Sequence, residues 1–202
     1  MASPKPLRVL YALHPNFDTL DFTGPLEILS HATHKHTADS STSESRVFQP
    51  TITAVSELTT SAQKAIFKRH IPLTEAHSTL ADYDILIIPG GGSQPVLDGQ
   101  TEPIQLIKAW AALPKKVDGS TRYLLSVCTG CLFLAEAGVL DGLTATTHAD
   151  YYGQLEKICE TKGKTRVLKE RFVVNKTDEE KGLRTITSGG DAVQKTSPSY
   201  SK

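Results

Sequence analysis

The sequence carries no net charge: 22 Lys and Arg are matched by 22 Asp and Glu among 202 residues. Nucleic-acid binding needs a basic patch or stripe, so that balance argues against a nucleic-acid partner. Cysteine is scarce and odd in number, at three, which does not make a secreted disulfide framework. No apolar run approaches membrane-spanning length, and Met1 to Pro6 lacks the apolar stretch of a secretory signal. The expectation is a cytoplasmic protein with no membrane partner. What is present is an ordinary globular composition, 39% apolar and 22% charged. The length suits one domain with a sizeable core.

The chemistry concentrates in one stretch, Ser126 to Cys131. An apolar strand-type run, Tyr123 to Val127, stops at Cys128. Leu132 to Ala135 then reads as helix, with a stop at Gly138. A side chain at such a turn sits at the carboxyl edge of a sheet and at a helix N-terminus. Serine hydrolases build the analogous nucleophile elbow there. Free backbone N–H groups and the helix dipole favour thiolate over thiol at that place. A buried structural cysteine is the competing reading, since free Cys is among the most buried residue types.

The rest of the chain alternates strands and helices. Leu7 to Leu13 reads as a buried strand, and within Leu20 to Leu29 a helix is expected to begin with Pro25 at its first position. Asp21 falls just ahead of that helix, either capping backbone donors or standing at the sheet edge. His31 to Ser45 is a polar loop; His31, His34 and His36 there lack acidic or thiol partners at metal-site spacing, so no metal is expected. Phe48 to Val55 reads as a strand, and 65–67 with 71–73 as a short hairpin or edge strands.

Tyr83 to Ile88 is a clear buried strand running into Pro89-Gly-Gly-Gly92. Neither glycine pattern for nucleotide phosphates is present, so nucleotide binding is not expected. A glycine N–H here could instead form half of an oxyanion site, with the N–H after Cys128 as the other half. Glu102 to Ala112 reads as a helix, Gly142 to Thr147 as a strand leading to His148, and Tyr151 to Cys159 as a helix. Residues 166–168, 172–174 and 183–187 read as strands, the last ending at Gly189-Gly190. This order predicts an α/β sandwich around a mostly parallel sheet.

Leu20 to Pro25, Ile88 to Gly91, Ser126 to Gly130, Ala137 to Gly142 and Ala145 to His148, in this order, resemble the ThiJ/PfpI superfamily. These proteins are relatives of class I glutamine amidotransferases, and the resemblance runs from about Leu7 to Gly190. It implies a flavodoxin-like three-layer fold with 1–190 as one domain, and the polar composition of 191–202 reads as a disordered tail. Asp-Phe-Thr-Gly-Pro and Ser-Val-Cys-Thr-Gly most resemble the isonitrile hydratase branch. The resemblance implies Cys128 as nucleophile, Asp21 as its acidic neighbour, and Gly91 and Thr129 as backbone donors. His148 matches a histidine that pairs with the cysteine in some branches, with packing at a strand end as its alternative. No cofactor is implied, and a homodimer acting on a small molecule is.

An ionised Asp21 beside the sulfur would oppose thiolate formation, because like charges disfavour joint ionisation. The expectation is one shared proton, with Asp21 neutral and donating to the thiolate. Hydration of an isonitrile to an N-substituted formamide, on a secondary metabolite, is the leading activity. A glyoxalase or deglycase activity on 2-oxoaldehydes and a redox-sensing role are the alternatives. Cys131, in a C-x-x-C with Cys128, either resolves a sulfenic acid there or packs under the elbow. Relatives continue past the Gly-Gly with a long apolar helix, whereas 191–202 is polar and holds Pro198, so the expected C-terminal helix looks missing.

Overall fold

The computed structural model describes residues 5–34 and 46–190. Strand β1 (Leu7–Leu13) buries its last five residues. Helix α1 (Thr19–Ser30) begins where the Asp18 side chain accepts the Leu20 N–H, a standard N-cap. Pro25 therefore lies inside the helix and not at its first position, because the cap sits further upstream than the proline suggests. Its missing N–H would have served the Asp21 carbonyl one turn back. Strand β2 (Phe48–Ala54) follows. Strands β3 (Leu58–Thr60) and β4 (Ile66–Lys68) form a separate antiparallel hairpin. Strand β5 (Ile71–Pro72) runs parallel to β2, so 65–67 and 71–73 are not partners of each other.

Helix α2 (Leu73–Ser78) leads to β6 (Ile85–Ile88), buried along its whole length. Two helices follow: α3 (Gln94–Gly99), which the sequence pattern does not announce, and α4 (Ile104–Ala111). Strand β7 (Arg122–Val127) runs into α5 (Gly130–Glu136). Of the strand expected over 142–147, only β8 (Thr144–Ala145) forms, paired with β9 (Arg166–Val167) outside the main sheet. Helix α6 (Tyr152–Lys162), β10 (Phe172–Val174) and β11 (Leu183–Ser188) complete the order. The predicted loop over 35–45, including His36, and the predicted loss of a helix over 191–202 lie outside the described residues.

Seven strands make the central sheet, in the order β10-β11-β7-β6-β1-β2-β5. Every pairing in it is parallel except β10 with β11. One face carries the larger core, where Trp110, Phe133, Leu106 and Leu155 pack on Leu10, Leu86 and Leu124. The other face packs Phe22, Leu26 and Leu29 of α1 on Val9, Tyr11 and Ile87. On that second face the register sets Phe172 and Val174 beside Ser188 and Ile186, which in turn lie beside Val127 and Leu125. Phe172 and Val174 are exposed there.

This topology fixes where a ligand can sit. After β1 the chain builds outward to β2 and β5, then returns to place β6 on the opposite side of β1. That reversal opens a crevice beyond the carboxyl ends of β1 and β6, the usual ligand position in such sheets. The β1–α1 turn, the glycine loop after β6 and the elbow after β7 converge there.

Candidate active site at the β7 elbow

The elbow holds Cys128 in a conformation that side chains rarely adopt, with φ at +56°. Such a backbone costs about 1–3 kcal/mol and persists only where the surroundings over-determine it. They do so here. The Cys128 N–H donates to the Ser188 carbonyl at 2.8 Å, and the Thr147 hydroxyl donates to the Cys128 carbonyl at 2.9 Å. Gly130 lets the turn press against β6: a Cβ there would lie 2.5 Å from the Ile88 carbonyl oxygen.

The glycine loop is stitched to the β1–α1 turn. Asp18 N–H donates to the Gly90 carbonyl and Gly92 N–H to the Asn16 carbonyl, both at 2.8 Å. Gly91, at φ +117°, has no room for a side chain, since a Cβ would lie 2.5 Å from both the Asn16 oxygen and the Asp18 nitrogen. At Gly90 a Cβ would lie 2.6 Å from the Thr129 nitrogen and 2.9 Å from Asp21 Oδ2. Glycine there lets the elbow and the first turn of α1 meet.

Asp21 therefore comes from within the first turn of α1 and not from ahead of it. It is 7% exposed, and its Oδ2 accepts the Gly90 N–H at 3.1 Å. Burial, then the Asp18 charge, push its carboxyl up to about 6, while the Gly90 N–H, the Cys128 thiol and His148 oppose the rise. Burial, then the Asp21 charge, push the Cys128 thiol up to about 12, against the pull of the Thr129 N–H. Together these shifts favour the proton on sulfur, with the thiol donating to Asp21, over the expected thiolate with neutral Asp21. The seven-residue α5 and one N–H do not outweigh desolvation. Both microstates carry the same single negative charge.

The anion donors also differ from expectation. The Gly91 N–H donates to Thr129 Oγ1 at 2.8 Å and so is engaged within the loop. The Thr129 N–H faces the sulfur. Gly190, just past the end of β11, packs against Cys128: a Cβ there would lie 3.0 Å from Cys128 Sγ. No sequence motif marks it, because the contact is made through space between β11 and the elbow.

A cavity of about 340 Å³ opens over these groups, lined by Cys128, Asp21 and Thr129 with Asp18, His148 and Gly190. Leu20 and Tyr151 form its apolar walls. His148 caps the turn before α6, accepting the Asp150 N–H on Nδ1 at 3.3 Å, and stacks edge-on with Tyr151. Cys131 faces away. It is fully buried in the larger core with Cys159, and burial pushes its thiol above the usual range. A larger hollow of about 700 Å³ lies between the ends of α4 and α5 and the 176–185 segment, and brings no Cys or His together. Near the His-rich tract, His31 pairs with Glu27 at 2.8 Å. Among the described residues no cluster of His, Cys, Asp and Glu is placed to hold a metal.

A strained cysteine after β7, the fifth parallel strand in chain order, beside an acidic residue from the first helix, sits in a chain whose residues 7–192 match the DJ-1/PfpI family model. The chain belongs to the DJ-1/PfpI family. Within the curated relatives of this family member, isonitrile hydratase of Pseudomonas putida is 27% identical over 171 residues, covering 81% of the chain. The chain spans 62% of that relative's length. Two solved structures share the DJ-1/PfpI fold with it. Schizosaccharomyces pombe DJ-1 has a TM-score of 0.63 at 22% identity, over 91% of this chain and 84% of that one. A ThiJ/PfpI protein from Pseudomonas syringae has 0.67 at 20% identity, over 93% and 64%. The flavodoxin-like sandwich with a mostly parallel sheet is thus the observed fold. No helix among the described residues is long and apolar enough to cross a membrane.

Proposed function

We propose that the protein is a cysteine-dependent lyase that hydrates small isonitriles to N-substituted formamides. The reading is carried by the Cys128–Asp21 pair, one proton between a thiol and a buried carboxylate at the floor of a small cavity. The likeness to isonitrile hydratase supports it. Asp21 accepts the thiol proton as Sγ attacks the terminal carbon of R–N≡C, then returns that proton to the same carbon. This gives a thioimidate, R–N=CH–S–Cys128. Water adds to its carbon, the C–S bond breaks, and R–NH–CHO leaves with the proton back on sulfur. Only water is consumed. The Thr129 N–H, which faces Sγ, stabilises charge on sulfur in both sulfur-transfer steps.

The test is to incubate the purified, reduced protein with a panel of alkyl and aryl isonitriles and quantify formamide. Formamide that disappears in Cys128→Ala supports the reading; no formamide across the panel, with Cys128 shown to be reduced, overturns it. A second reading, hemithioacetal chemistry on 2-oxoaldehydes, is favoured by the position of His148 in the same cavity. It would need His148 for proton transfer, so His148→Ala should stop methylglyoxal turnover while leaving isonitrile turnover within a few-fold.

A further inference from the structure

The cavity's charge is one-sided. Its lining holds two carboxylates, Asp18 and Asp21, and, among the described residues, no Lys or Arg. Only His148 could bring positive charge, and Asp150 Oδ2 already lies 3.8 Å from its Nδ1. The reacting pair itself keeps one negative charge whichever partner holds the proton.

Asp18 lies nearer the solvent than Asp21: it is half-buried where Asp21 is buried, and both line the cavity. Asp18 Oδ1 accepts the Leu20 N–H at 3.2 Å, and its backbone is tied to the Gly90 carbonyl at 2.8 Å. Rotation is thus restricted, and no Lys or Arg among the described residues forms an ion pair with it. Leu20 beside it is 51% exposed and lines the same cavity, so this side of it faces solvent.

We propose that Asp18 acts as a charge filter, so that the site takes small uncharged or cationic electrophiles and turns away those bearing a carboxylate. An incoming anion meets both Asp18, nearer the solvent, and the negative Cys128–Asp21 pair. A neutral isonitrile or aldehyde meets neither penalty, and a substituent with a cationic end is drawn in. Leu20 and Tyr151 offer an apolar wall for the substituent next to the reacting group. Asp18 is a specificity-determining residue in this account, with no proton to move. The inference rests on the reading above only in taking Cys128 as the reacting group.

The experiment therefore uses two alkylating probes of matched size, neutral iodoacetamide and anionic iodoacetate. In each, Sγ displaces iodide, an S–CH₂ bond forms, and the thiol proton passes to Asp21 or water. Rates at Cys128 are read by peptide mass spectrometry; Cys131 and Cys159 are 0% and 4% exposed and serve as internal controls. In the wild type the preference for iodoacetamide should exceed that of a free thiol. Asp18→Asn, which keeps an N-cap, should cut that preference by about three- to tenfold at low salt, with the difference fading in ~1 M salt. Taking the ratio of the two probes cancels any change in thiol ionisation.

Leu20→Lys, which leaves Asp18 in place, should shift the ratio in the same direction and covers the case of a poorly folded Asp18 variant. An unchanged ratio in the variants, or a ratio indifferent to salt, overturns the filter. A shifted ratio in a protein that hydrates no isonitrile leaves the filter standing and the hydratase reading fallen. Isonitrile turnover with an unchanged ratio does the opposite.

Discussion

Thr129 Oγ1 accepts the Gly91 N–H at 2.8 Å and donates to the Gly91 carbonyl at 3.0 Å. One hydroxyl thus closes a two-bond clasp between the glycine loop after β6 and the elbow after β7. The clasp takes up the glycine N–H that could otherwise have faced the substrate, and it leaves the Thr129 backbone N–H to face the sulfur. Asp21 depends on the same loop, because its carboxylate is held by the Gly90 N–H at 3.1 Å. Elbow, Asp21 and loop are therefore tied into one connected set of hydrogen bonds.

Removing the clasp should loosen the whole site. Thr129→Val keeps the shape of the side chain but leaves the half-buried N–H and carbonyl of Gly91 without their partner. The expected cost is about 1–3 kcal/mol, read by denaturant melts, with a fall in the rate at which iodoacetamide labels Cys128. Thr129→Ser should recover most of both. Wild-type labelling in the valine variant would show that the clasp does not position the elbow.

Backbone strain at Cys128 gives a prediction with opposite signs for stability and activity. Cys128→Gly should remove the φ +56° penalty, worth about 1 kcal/mol after glycine's own entropy cost. For a chain of this size that is roughly 2–4 °C in Tm. Cys128→Ala keeps the strain and should gain less. Both variants should lack turnover. A glycine variant less stable than the alanine one would mean that the elbow is not strained.

Gly130→Ala tests how closely the elbow must approach β6. Its Cβ would lie 2.5 Å from the Ile88 oxygen and 3.0 Å from the Pro89 oxygen. Backbone must shift to admit it, at about 1–3 kcal/mol or more. Thermal melts should show the loss, and Cys128 labelling should slow because Pro89 leads into the loop that holds Asp21. By contrast Gly138→Ala, where a Cβ would meet nothing within 4 Å, should cost only the strain of its φ of +77° and leave labelling unchanged.

The parts of this fold that were legible in the sequence are those set by local pattern. Leu7–Leu13, Ile85–Ile88 and the strand into Cys128 are continuous apolar runs because both sheet faces are covered at their positions, and the motifs placed Cys128 beside Asp21. The start of α1 is hard to read because Pro25 is a stronger textual signal than Asp18, although Asp18 is the residue that caps. The hairpin of Leu58–Thr60 with Ile66–Lys68 is not legible in the sequence because three-residue strands carry too little periodicity. Gly190 against the sulfur, the engaged Gly91 N–H and the burial that raises Asp21 are three-dimensional features. Each depends on burial or on contacts between segments more than 30 residues apart, and no spacing encodes them.

The raised carboxyl of Asp21 makes the final prediction, and its sign differs from that of an ordinary ion-paired carboxylate. In the folded protein Asp21 titrates at about 6, against 3.8 without the fold. Below about pH 4 it is protonated in both states and costs nothing. Between pH 4 and 6 the unfolded chain ionises first, so the folded state binds more protons and stability falls as pH rises. Above pH 6 the penalty is complete, on the order of 3 kcal/mol for two pH units. Asp21→Asn removes the titration, so its stability advantage over the wild type should be absent near pH 4 and grow to a plateau above pH 6. Turnover should run the other way. Only ionised Asp21 can accept the thiol proton, so wild-type kcat/KM should rise through pH 6, and Asp21→Asn should lose activity at every pH. Asp18→Asn supplies the control, because the Asp18 charge is the second cause of the shift: the acid limb should move to lower pH without losing its height. Melts and rate profiles from pH 4 to 8 on the three proteins would read all of these together. A stability gap between Asp21→Asn and the wild type that stays flat across that range would show that Asp21 is not the carboxyl held up by burial beside Cys128.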